Sequence, residues 1–262
     1  MSARPGVSVV ARLKRPAVSE SADSSSPSTH GGASGYNSVM LTLLFDIDGT
    51  LINTGGAGGT ALIAAFREDF GIETPAKVPF SGRTDRGIGT NLFEEHGIDD
   101  SPENWRRLRD GYLARLPIHL PLRNGRILDG VSKLLERLQA TEAVAIGLLT
   151  GNLRDGARIK LTHFGLFEHF TFGGFGDEHR DRNGVAEAAL AEARRHANSD
   201  FDPRRVWVIG DTPLDVSCAR AIDARVIAVA TGLHPAAELA DSQPDLLLEN
   251  LSDTDRVMNA LN

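Results

Sequence analysis

The chain has 262 residues, 41% hydrophobic and 24% charged, a balance that suits one large folded core or a core with an inserted module. A net charge of −7 argues against nucleic acid as a partner, and no apolar run approaches the roughly 18 residues that would cross a membrane. The single cysteine, Cys218, excludes an intramolecular disulfide and suits a reducing, cytoplasmic compartment.

Residues 1–39 carry Arg4, Arg12, Lys14 and Arg15 against Glu20 and Asp23. The stretch "SESADSSSPSTHGGASG" cannot bury a core, so this segment is expected to be a disordered extension. It has no apolar h-region and so does not read as a secretory signal. Its Arg and Ser content leaves an organelle-targeting peptide open. A plain extension, or an upstream start with Met40 as the alternative, is the simpler reading.

From Leu41 onward, short apolar runs alternate with amphipathic stretches, the pattern of a parallel α/β sheet. Strands are predicted at 41–46, 143–149, 169–173, 206–210, 225–230 and 245–248, with helices at 130–140, 153–164, 184–197 and 213–222. The expected fold is a doubly wound, mostly parallel Rossmann-like sheet. About 90 residues separate the first two strands, where a crossover needs a few dozen. Helices predicted at 57–70, 84–96 and 102–116 fill that gap. The expected boundaries are a core of 40–55 and 124–262 and an inserted helical cap of 56–123.

Ligands of an open parallel sheet bind beyond the carboxyl ends of its strands. Three predicted strands end there in residues that sheet stability does not require: Asp46-Ile47-Asp48, Thr150-Gly151-Asn152, and Gly210-Asp211-Thr212-Pro213-Leu214-Asp215. Together they make a cluster of carboxylates beside a hydroxyl. Carboxylates this close repel, and a hard divalent cation offsets that repulsion. All-oxygen ligands suit Mg²⁺, and the lack of His and Cys disfavours zinc.

"DIDGTL" at 46–51, "LLTGN" at 148–152 and "GDTPLD" at 210–215 resemble the first, second and fourth motifs of the haloacid dehalogenase-like hydrolases, in the same order. The likeness spans about residues 41–250. The inserted helices sit where the phosphoglycolate phosphatase and β-phosphoglucomutase branch carries its cap. The resemblance implies a Mg²⁺-dependent phosphatase of a small phosphorylated metabolite, phosphoglycolate being the nearest named substrate. A sugar-phosphate mutase using the same intermediate is the alternative. Asp46 would be the nucleophile, forming an aspartyl phosphate, and Asp48 the general acid and then base. The Asp46 side chain, the Asp48 carbonyl and Asp211 would hold Mg²⁺. Asp215 would orient the metal's waters or a nearby cation, and Thr150, with Gly151 and Asn152, would bind the phosphoryl group.

The family's third motif is usually a lysine ahead of a helix, and here the chain departs from it. The four lysines are Lys14, Lys77, Lys133 and Lys160, and Lys160 falls inside the helix after the second motif. The cation is therefore expected to be an arginine, Arg182 ahead of Arg180, since a guanidinium can grip a carboxylate and a phosphate together. In the cap, "PFSGRTDRGIG" offers Arg83 for a substrate carboxylate or second phosphate; otherwise Thr84 or Ser81 caps the next helix and the charges are solvated. Closure of the cap is expected to hinge near 53–56 and 122–126. A phosphonatase would need a Schiff-base lysine in the cap, where Lys77 stands alone. A phospho-receiver domain would need a lysine on a late strand, and there is none. The oligomeric state is left open.

Overall fold

The computed structural model describes residues 40–262. In chain order, β1 (Met40–Phe45) leads through β2 (Ile52–Asn53) into α1 (Ala57–Phe70), α2 (Asp85–Glu95) and α3 (Pro102–His119). The chain returns through β3 (Arg126–Ile127), α4 (Val131–Gln139), β4 (Val144–Leu149), α5 (Arg154–His163) and β5 (Gly173–Gly174). It finishes with α6 (Arg182–Ala197), β6 (Phe201–Gly210), α7 (Pro213–Ala221), β7 (Arg225–Val229), α8 (Ala236–Asp241), β8 (Leu246–Leu248) and α9 (Thr254–Leu261).

Six strands form one parallel sheet in the order β5-β4-β1-β6-β7-β8. Its central strands are buried on both faces, which explains why they read as continuous apolar runs. Leu43 and Phe45 of β1 face one core with Leu134 and Leu138 of α4 and Leu161 of α5. Leu44 faces the opposite core with Val185 and Ala189 of α6 and Val216 of α7. Because β1, β4 and β6 run parallel side by side, their carboxyl ends open onto the same edge of the sheet.

The insertion has a core of its own, in which Phe66 of α1, Leu92 and Phe93 of α2, and Leu108, Tyr112 and Leu116 of α3 are buried together. Its helices carry their own start signals. Thr84 Oγ1 accepts from Gly87 N at α2, and Ser101 Oγ accepts from Asn104 N at α3, where Pro102 occupies the first turn. The two passes between core and insertion pair as a short antiparallel ribbon, β2 with β3.

Three differences from the sequence pattern have physical causes. The strand expected at 169–173 pairs only over Gly173–Gly174, preceded by a 3₁₀ turn at Phe167–His169. It is an edge strand, and short edges limit unwanted pairing. Helix α3 runs past its expected end at 116 because Pro117 sits in its last turn rather than breaking it. Helices α8 and α9 lie where no element is expected. Asp253, whose side chain accepts from Arg256 N, starts α9, and Val257 and Leu261 anchor it in the core. Among the described residues, no helix is long and apolar enough to cross a membrane.

Candidate active site

The turn after β1 is built around Ile47. This side chain is fully buried, and its carbonyl accepts from Leu51 N (2.9 Å) and Ile52 N (3.1 Å). With Ile47 turned into the core, its neighbours Asp46 and Asp48 both line the cavity at the sheet's carboxyl edge. Asp46 is buried and its amide still pairs with Ile209 O of β6 at 2.9 Å. The Asp48 side chain remains 39% exposed.

Asp46, Asp211 and Asp215 bring carboxylate oxygens within 4.8 Å of one another. Asp215 is fixed by its helix: Oδ2 accepts from Thr212 N (3.0 Å) and Thr212 Oγ1 (2.8 Å), closing a capping box at the start of α7. Asp211 Oδ1 accepts from Thr50 Oγ1 at 2.9 Å. Its Oδ2 is cradled by backbone: a Cβ on Gly49 would lie 2.3 Å from it, and one on Gly232 1.7 Å. Gly49 also has φ +88°, so glycine is needed there twice over.

One cation stands among these three carboxylates. Arg182, itself buried, donates from Nη1 to Asp46 Oδ1 (3.2 Å) and pairs through Nη2 with Asp215 Oδ1. Burial works against its charge, but Asp215 and Asp46 outweigh it and raise the pKa. The carboxylates stay under-compensated. Burial pushes Asp46 up to about 6, against Arg182 and with Asp215 and Asp48 adding repulsion. Asp211 is raised well above its ordinary value by burial, then by Asp215 and Asp46. An all-oxygen, surplus-negative donor set with an oxygen cradled by glycine backbone fits a hard divalent cation.

The Asp48 side of the cavity has a separate cation. Lys160 of α5 is buried, and its Nζ donates to Asp48 Oδ2 and to Asn152 Oδ1, both at 2.6 Å. Asn152 Nδ2 donates to Asp48 Oδ2 (2.9 Å) and Thr150 Oγ1 (2.8 Å). Thr150 is fully buried behind Gly151 and Asn152, which are the residues of that strand end lining the cavity. The expectation that the site's cation is an arginine passes over Lys160 as an ordinary helix residue. A signal was available: Ala157, Lys160 and Leu161 recur on the apolar face of α5, where a lysine needs an anionic partner.

The insertion supplies the cavity's other wall, with Leu62, Phe80, Ser81, Arg83, Asp85, Ile88 and Tyr112 facing a space of about 370 Å³. Asp85 fastens α2 to the second strand-end loop: its amide donates to Gly151 O (2.7 Å), and its Oδ2 accepts from Leu153 N (2.9 Å). Burial raises Asp85 to about 6, with Lys160 opposing. Thr84 is the helix cap, while Arg83 is exposed at the rim. Arg180 is exposed and pairs with Asp100 at 2.8 Å, leaving Arg182 as the cation at the carboxylates. Lys77 is exposed and does not line the cavity.

A sequence model described as haloacid dehalogenase-like hydrolase matches residues 43–229. A phosphoglycolate phosphatase of Synechococcus elongatus is 26% identical over 214 residues, covering 82% of this chain and 95% of that protein. One from Nitrosococcus oceani is 22% identical over 223 residues, covering 83% and 96%. Among solved structures, a hydrolase from Pseudomonas syringae superposes with a TM-score of 0.64 at 20% identity, covering 84% of this chain and 98% of that one.

Proposed function

The chain belongs to the haloacid dehalogenase-like hydrolases, and on that footing we propose that it is a Mg²⁺-dependent phosphatase of a small phosphorylated, phosphoglycolate-like metabolite, working through an aspartyl phosphate on Asp46. The observation that carries this reading is the placement of Asp46 and Asp48 on one cavity wall in different settings. Asp46 is buried against Arg182, whereas Asp48 is more open and held by Lys160 and Asn152. The two phosphoglycolate phosphatases that share 26% and 22% identity with this chain support the substrate class.

Arg182 holds one Asp46 oxygen, which orients the carboxylate for attack on phosphorus. The P–O bond to the alcohol breaks as Asp48 hands its proton to the leaving oxygen. Asp48 then takes a proton from a water that attacks the same phosphorus, and Asp46 departs as a carboxylate. Thr150, buried behind Gly151 and Asn152, accepts from Asn152 Nδ2 and so steadies these two, the residues of that strand end that would meet the phosphoryl group. The Asp46 and Asp211 carboxylates and the Asp48 carbonyl would hold Mg²⁺, with Asp215 behind them; when bound, the ion supplies positive charge to the phosphoryl group. The inserted helices exclude bulk water above it.

The test is release of inorganic phosphate from a panel of small phosphate monoesters with Mg²⁺ present. Asp46→Asn is expected to abolish it, and retained turnover would overturn the covalent route. Transfer of the phosphoryl group to a second hydroxyl without phosphate release would mark the mutase alternative.

A further inference from the structure

Three cations line the cavity, and they stand in different relations to the chemistry. Arg182 is taken up by Asp46 and Asp215 on the phosphoryl side. Arg83 is exposed at the rim. Lys160 is buried, lines the cavity and touches Asp48, the residue that faces the leaving oxygen in the proposed reaction. The atoms of the alcohol next to that oxygen must therefore come within reach of the Lys160 ammonium.

The surroundings of Nζ are built for a small anionic group. An ammonium has three N–H donors. Asp48 and Asn152 take two, and the hydrogen bonds of the described residues supply no acceptor for the third. Helix α1 passes so near that a Cβ on Gly58 would lie 3.0 Å from Nζ and 3.8 Å from Tyr112 Oη. Glycine at 58 thus lets α1 pack against Lys160 without crowding its ammonium, and Gly58, Lys160 and Tyr112 all line the cavity. Burial, with Asp85 and Asp48 nearby, keeps Tyr112 a neutral phenol able to donate. The remaining acidic neighbour, Asp85, already has Oδ2 occupied by Leu153 N. Beyond this polar floor the lining turns apolar at Leu62 and Ile88, which suits a short molecule.

We infer that Lys160, with Tyr112 beside it, receives a carboxylate carried by the leaving alcohol, so that the preferred substrates are phosphate monoesters of small hydroxy acids rather than of neutral alcohols or sugars. This inference rests on the phosphatase reading above and assigns specificity to the floor of the cavity rather than to Arg83 at its rim.

The experiment compares kcat/KM for 2-phosphoglycolate and ethyl phosphate. Both are alkyl esters with the same need for an acid at the leaving oxygen, and only one carries a carboxylate. Wild type is expected to prefer 2-phosphoglycolate. Lys160→Met should lower that preference by about 10- to 100-fold, the range a charge-assisted hydrogen bond supports. Lys160→Gln, which keeps a donor for Asp48 without the charge, should lower it likewise and guards against a Met variant that does not fold. If both esters slow equally in the variants, Lys160 only holds Asp48 and the inference is overturned. If wild type hydrolyses other esters but neither of these, the inference falls and the phosphatase reading stands. Turnover retained in Asp46→Asn would bring down that reading instead.

Discussion

Ser81 Oγ lies 3.0 Å from His234 Nε2, a contact that ties the segment before α2 to the loop after β7. Glu238 Oε1 holds the far side of the ring, 2.9 Å from Nδ1. Ser81 and Leu233 both line the cavity, so this contact fastens one of its walls. Ser81→Ala removes one hydrogen bond, worth about 0.5–1.5 kcal/mol. The expected outcome is a KM raised roughly two- to tenfold with kcat little changed. Amide exchange should quicken around 53–56 and 122–126, the segments flanking the β2–β3 ribbon. An unchanged KM would mean that the contact does not help hold the wall closed.

Arg182 is the cation whose loss should cost most. Removing it leaves Asp46 and Asp215 buried without their partner. Breaking a buried pair in this way costs about 3–5 kcal/mol. Urea unfolding of Arg182→Ala should show a loss of that order together with loss of turnover. Arg182→Lys restores the charge but not a fork that reaches two carboxylates. It should recover most of the stability and little of the activity.

How far the sequence revealed this site depends on the distance between cause and residue. Asp46, Asp48, Asp211 and Asp215 are legible because each lies within a few residues of an apolar strand, and a parallel sheet sends those ends to one edge. Arg182 is legible from its place before a helix and from the scarcity of lysines. Lys160 lies eight residues beyond Asn152 and 112 from Asp48, so its role appears only once α5 is packed on the sheet. The Ser81–His234 contact spans 153 positions and left no local trace. The same logic holds for the fold. Strongly periodic helices such as α4 are readable, whereas the two-residue strands β2, β3 and β5 exist only through their partners.

Asp85 provides a pH test outside the carboxylate cluster. Its folded pKa, about 6, lies above its ordinary 3.8, so the folded state binds this proton more tightly than the unfolded chain. The contribution is fully present below about 3.8 and is lost as pH rises through about 6. Asp85→Asn keeps an oxygen for Leu153 N and cannot ionise. Relative to wild type, it should gain stability across that window by up to about 3 kcal/mol and stay level above it. Urea midpoints at a series of pH values measure the difference. Parallel curves for the two proteins would show that Asp85 does not feel its burial.

Asp211 carries the same sign and couples it to the proposed metal. Its pKa is raised by burial and by Asp215 and Asp46, so without metal its ionised form opposes folding. Asp211→Asn keeps an oxygen for Thr50 Oγ1 and removes that repulsion. In the presence of chelator at neutral pH, the variant should therefore melt higher than wild type. Mg²⁺ should reverse the order. At a concentration near 100 times its Kd, the ion stabilises a protein that binds it by about 2.7 kcal/mol. For a chain of this size that raises Tm by roughly 5–10 °C. Wild type should show this rise, and Asp211→Asn, short of a ligand, should show little of it. On the proposed reading, the carboxylate that opposes folding without the ion would be the one that holds it, and this is why the two melting temperatures should cross on adding Mg²⁺. A wild type that is more stable than the variant in chelator would contradict the electrostatic account of the cluster.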